Sequence, residues 1–144
     1  MGGWVTVNTA AHDPALLGAI LISAADMTAM GQNSPRARIV AEMADDMKSL
    51  AGVTADSMAD DVIDHAKGFD FASSLDGLSK TPMLVLSSND GLAPATEALV
   101  KALRAKGNKN VKAVHADTDH SWSDHRIFLE TQVINWLGTL QGAQ

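Results

Sequence analysis

Two short runs, Gly18-Ala19-Ile20-Leu21-Ile22-Ser23 and Met83-Leu84-Val85-Leu86-Ser87-Ser88, are apolar on both faces of any extended backbone they could form. A strand wetted on one side alternates apolar with polar residues. A run without that alternation belongs to a strand covered on both faces, as in a parallel sheet. Val111 to Ala116 reads as a third, shorter strand. Helical patterns stand between and after these runs. Pro94 opens one helix with Leu99, Val100 and Leu103 inward, and Gly107 stops it. A last helix runs from about Ser123 to Leu140, with Leu129, Val133, Trp136 or Leu137, and Leu140 on its buried face. Strands alternating with helices imply an α/β fold: about three parallel strands with helices on both faces.

The remaining segments are less regular. Trp4 to His12 is small and apolar, closed by Asp13-Pro14, and fits a buried helix or a strand equally. Between about Ala24 and Lys80 the pattern becomes that of a helical insertion on top of the sheet. Ser34-Pro35 predicts a helix start, with Ser34 as N-cap and Pro35 in the first helical position. Ile39, Met43, Met47 and Leu50 then share one face, and Gly52 ends the element. Thr54 caps a second helix with Met58, Val62 and Ala66 in a stripe, closed by Gly68. The acidic run Asp56, Asp60, Asp61, Asp64 reads as its solvated face.

Composition narrows the function classes. The chain has 144 residues, enough for one domain with a real core, and its net charge of -6 argues against a nucleic-acid surface. With no cysteine, neither a disulfide framework nor a thiolate zinc site is available. No apolar run approaches the ~20 residues of a membrane span, and the start lacks a signal-peptide core, so the expected location is the cytoplasm.

In open α/β sheets the reactive groups sit just beyond the carboxyl ends of the strands. Those ends carry Asp90 after the second strand and His120 after the third. A hydrolytic triad needs an imidazole to take a proton from the nucleophile and a carboxylate to fix the imidazole's tautomer. In the α/β-hydrolase order the acid precedes the histidine, as here.

Ser87-Ser88-Asn89-Asp90-Gly91-Leu92-Ala93-Pro94 resembles the acid-bearing turn of the α/β-hydrolases, normally Gly-x-x-Asp-x-x-(Val/Ala)-Pro, with Ser87 in place of the glycine. Asp119-His120-Ser121-Trp122 resembles the catalytic-histidine turn of esterases, dienelactone-hydrolase-like enzymes and oligopeptidases. Met1-Gly2-Gly3-Trp4, with a small-residue segment, Asp13-Pro14 and Gly18-Ala19-Ile20-Leu21 after it, is similar to the stretch just past the nucleophile in Gly-His-Ser-Met-Gly-Gly. The resemblance implies a truncated α/β-hydrolase domain over 1–144, with a cap insertion at about 24–80. It further implies Asp90 as the acid, His120 as the base, and the backbone of Met1 as an oxyanion-hole donor. The family's Gly-x-Ser-x-Gly elbow would place its serine one position before Met1, and no such motif occurs in the chain; Gly77-Leu78-Ser79-Lys80-Thr81 lacks the final glycine. Ser88, Ser121 and Ser123, beside the two turns, are the candidate substitute nucleophiles.

The resemblance implies a small ester or acyl substrate and no cofactor. Asp117, Asp119, His120, Asp124 and His125 invite comparison with a metal site, but their spacing matches no standard helix-borne pair. His115 reads as a satisfied core histidine, and Trp4, Trp122 and Trp136 as core or interface aromatics. In the family the strand 18–23 has a neighbour on each side, and one of them is missing here. Its exposed edge predicts a homodimer, or a complementary N-terminal half as partner. Two functions are open: a serine carboxylic-ester hydrolase whose nucleophile is supplied elsewhere, or a non-catalytic dimerising remnant of the same fold.

Overall fold

The computed structural model describes residues 2–68 and 70–141, which form two compact units: residues up to Ala25 together with those from Ser74 onward, and Asp26–Ser73. The first unit holds the sheet. Its strands are β1 (Ala19–Ile22), β2 (Met83–Ser87) and β3 (Val111–His115), all parallel, in the order β1-β2-β3. The helices of this unit are α1 (Gly2–His12), α5 (Leu75–Leu78), α6 (Ala93–Ala105) and α7 (Arg126–Gln141). The ambiguous opening segment is thus a helix, with Val7 and Ala10 buried.

The register explains the lack of alternation in β2, which is buried at every position. Ile20, Leu84 and Lys112 are paired across the three strands, as are Ile22, Leu86 and Val114. Leu84 and Leu86 pack with Ala116, Trp122 and Trp136, and so place α7 on that face. Met83, Val85 and Ser87 point the other way, where α6 buries Leu99, Val100 and Leu103. Trp136 takes the inward position, whereas Leu137 is 43% exposed.

β1 and β3 are edge strands among the described residues, and their side chains show it. Ile22 is 41% exposed, and Ala113 and His115 on β3 are also open. His115 is therefore not the core histidine expected from its place in an apolar run. A two-sided hydrophobic pattern marks a central strand reliably, but β3 has only one neighbour to cover it.

The second unit, Asp26–Ser73, is narrower than the insertion expected at 24–80. It comprises α2 (Met27–Asn33), α3 (Arg36–Asp46), a short 3-10 turn (Met47–Ser49) and α4 (Ala55–Asp64). Its core is Ile39, Met43 and Ala59, with Met58 and Val62 packed against them. Arg36 forks across to Asp60 at 2.7 and 3.0 Å and to Asp56 at 2.9 Å, so part of the acidic run is paired. Thr54 caps α4 as expected: its hydroxyl accepts from the Ser57 N–H at 3.1 Å and Ser57 reaches back.

Two local expectations fail, and one helix was not foreseen, for identifiable reasons. Ser34 is not the N-cap of α3; Pro35 is, in an extended conformation with ψ 140°, and no side chain caps the helix. Leu50 leaves the apolar stripe, at 49% exposure, because the helix tightens into the 3-10 turn before reaching it. The helix α2 is absent from the periodicity because it is short and contains Gly31. There a Cβ would stand 2.6 Å from the carbonyl oxygen of Val62, so the missing side chain is what lets α2 approach α4.

Candidate active site

The site begins where β2 stops. After Ser88 the chain turns through Asn89-Asp90-Gly91, with Gly91 at φ +83°, a conformation that costs an L side chain about 1 kcal/mol or more. The turn folds Asp90 back on itself, and its Oδ1 accepts the Leu92 N–H at 2.9 Å. Beyond β3, the Trp122 N–H donates to the Asp119 carbonyl at 3.0 Å and closes a second tight turn. The two turns are tied together, because the Asn89 N–H donates to the Thr118 carbonyl at 3.0 Å.

This framework brings Asp90 and His120 into contact. Asp90 Oδ2 and His120 Nδ1 are 2.8 Å apart, with the Asp90 side chain 5% exposed and that of His120 63% exposed. Burial pushes the Asp90 carboxyl up, but the Leu92 N–H, His120 and, more weakly, the Ser88 hydroxyl outweigh it and leave its pKa below the ordinary 3.8. Asp90 is thus ionised at neutral pH and can only accept. The neutral imidazole must therefore carry its hydrogen on Nδ1, which leaves a lone pair on Nε2. No described residue hydrogen-bonds Nε2, so this lone pair faces outward and is free to take a proton.

A buried polar chain supports the carboxylate from behind. The Trp122 indole N–H donates to Ser23 Oγ at 3.0 Å, and Ser23 Oγ lies 2.8 Å from Ser88 Oγ. The indole N–H makes Ser23 Oγ an acceptor, and Ser23 and Ser88 share a hydroxyl hydrogen behind the acid-bearing turn. Ser23 comes directly after β1, at φ 45°, and Trp122 lies at φ 57°. Two left-handed non-glycine residues that share a hydrogen bond are a local cost of about 1–3 kcal/mol each, and such costs concentrate at functional sites.

The remaining candidates fall into place around this pair. Ser88 is fully buried and hydrogen-bonded to Ser23, so it acts as a support and not as an attacking group. Ser123 is tied to Asp119, its N–H lying 2.9 Å from Oδ1 and its hydroxyl also pulling the carboxyl down. Ser121 is exposed. Met1 lies outside the described residues. Among the described residues, no group of three or more His, Asp and Glu side chains gathers as a metal ion would require.

Sequence reasoning missed Ser23 and the donor role of Trp122. The available signal was positional. Ser23 ends β1 just as Ser88 ends β2, so both hydroxyls stand at the same carboxyl edge as the acid. No family model, no curated protein and no solved structure matches this chain.

Proposed function

We propose that the chain carries the acid–base half of an α/β-hydrolase-type active site directed at small carboxylic esters, with Asp90–His120 as its proton-transfer pair. The observation that carries this reading is the 2.8 Å contact between a buried carboxylate and an exposed imidazole, on adjacent turns at the carboxyl ends of two parallel strands. The Nε2 lone pair is the general base. It takes a proton from a water or hydroxyl nucleophile and returns it to the leaving alkoxide, while Asp90 stabilises the imidazolium formed between the two steps.

Hydrolysis of a p-nitrophenyl ester by the purified chain tests the reading. His120→Ala is expected to lower the rate by about 10²-fold, the ordinary contribution of a positioned base. Because His120 is exposed, the variant should remain folded, losing its hydrogen bond to Asp90 but no core packing, and circular dichroism checks this. A rate unchanged by the substitution would leave the pair without a catalytic role.

A second reading, a dimerising module of the same fold, is favoured by a specific surface. Leu16, Leu17 and Ile22, at 41, 67 and 41% exposure, cluster in sequence around edge strand β1. An apolar edge with free N–H and C=O groups is a template for pairing with a second copy. Light scattering should report a dimer, and Ile22→Lys should shift it to monomer at the same concentration. A parent chain that is monomeric at high micromolar concentration sinks this second reading.

A further inference from the structure

Ser87 and His115 stand side by side in register at the ends of β2 and β3, pointing to the α6 face of the sheet. Ser87 Oγ is 2.9 Å from His115 Nδ1, and His115 Nε2 is 2.9 Å from Asn89 Oδ1. The Asn89 amide in turn donates to the Asp117 carboxylate. This chain of partners fixes every hydrogen. An ionised carboxylate only accepts, so Asn89 gives its NH2 group to Asp117 and its carbonyl oxygen to the histidine. A carbonyl only accepts as well, so Nε2 of His115 carries the ring hydrogen and Nδ1 is bare. The Ser87 hydroxyl must then be the donor to Nδ1. That is a nucleophile on its base, with the base oriented by a third group and that group by a fourth.

The arrangement also has an approach. Ser87 and His115 line a groove of about 390 Å³ bordered by α6, a volume in the range of small-molecule sites. Val85, Val100 and Ala113 supply apolar walls, and Glu97, Lys101 and Arg104 bring charges of both signs to the same groove. A short acyl chain fits such walls.

We propose that Ser87 is an acyl-accepting nucleophile with His115 as its base and Asn89 as the positioning residue, and that its groove takes small apolar esters. The site shares no residue with the Asp90–His120 pair. Ser87 Oγ attacks the ester carbonyl carbon as its proton passes to His115 Nδ1. The bond from carbon to the alkoxy oxygen breaks, and the departing alkoxide takes that proton from Nδ1. Water then attacks the acyl-serine, giving a proton to Nδ1, and Ser87 recovers a hydrogen as the carboxylic acid leaves. Throughout, the Nε2–H stays on Asn89 Oδ1.

A fluorophosphonate probe with peptide mapping on the whole chain decides the matter. The label is expected on the peptide containing Ser87, absent in Ser87→Ala, and formed about 10²-fold more slowly in His115→Phe. His115 is exposed, so this second variant reads activation without disturbing a core, and circular dichroism checks that both variants are folded. An unlabelled Ser87 in the folded parent, a label on Ser121 or Ser123 instead, or an undiminished rate in His115→Phe overturns the proposal. The mapped serine reports on Ser87 alone, and the effect of His120→Ala on ester hydrolysis is read in the Ser87→Ala background, so either proposal can fail while the other stands.

Discussion

Trp122→Ala should destabilise the sheet-bearing unit by about 3–5 kcal/mol, the usual cost of deleting a large buried aromatic ring. Trp122 is 1% exposed, packs with Leu84, Leu86, Ala116 and Trp136, and stacks on Phe128 with ring centroids 6.5 Å apart. Removing it opens a void between the sheet and α7. It also takes the indole donor from Ser23 Oγ, a buried hydroxyl whose other described partner is Ser88. Since whole domains are stable by only about 5–15 kcal/mol, a loss of this size leaves little margin. Trp122→Phe separates the two contributions: it keeps most of the ring and removes the donor, and should cost about 1–3 kcal/mol, the penalty of an unsatisfied buried group plus a small void. Urea denaturation monitored by circular dichroism measures both. A cost below about 1 kcal/mol for Trp122→Ala would mean that the ring is not part of the core.

The same residue shows what the sequence could and could not convey. β2 was legible because two faces of burial leave a signature that needs no partner to be identified, six apolar or small residues in a row, and β1 carries the same run although its edge position leaves Ile22 open. Asp90 and His120 were legible because strand ends fix where loops can put chemistry, and because each stands in a recognisable turn. The support behind them was not. Whether Trp122 turns inward depends on its left-handed backbone at φ 57°, which nothing in Asp119-His120-Ser121-Trp122 announces. Ser88 resembles a nucleophile because it is near the acid, and nearness along the chain says nothing about which neighbours already hold its hydroxyl. His115 misleads for the opposite reason. Its apolar flanks suggest a core position, but burial at an edge strand is set by how many strands lie beyond it, a property of topology and not of the local run. In the helical unit, Thr54 was legible because a capping box is a contact within four residues, whereas α2 depends on Gly31 lying against Val62 about thirty positions away.

Asp90→Asn should reduce ester hydrolysis by about 10²-fold, as much as deleting the His120 imidazole itself. The reason lies in the direction of the protons. Asp90 receives hydrogens from the Leu92 N–H and from His120, and as a carboxylate it can accept both, one on each oxygen. An amide offers one acceptor oxygen, which the Leu92 N–H claims, and turns an NH2 group towards His120. The imidazole must then accept at Nδ1, so its hydrogen moves to Nε2 and the outward lone pair is lost. Geometry survives while the base is switched off. The substitution also has a sign in pH. The folded Asp90 carboxyl lies below its ordinary 3.8, so its contribution to stability is complete above about pH 4 and disappears as the pH falls through the lowered folded value. The Asp90 carboxylate therefore stays ionised in mildly acid solution. Asp90→Asn removes this acid-side contribution to stability, so its melting temperature should fall less than the parent's between pH 5 and 3. A variant that retains the parent's rate, or an equal acid-side slope in both proteins, would show that the carboxylate does not set the tautomer of His120.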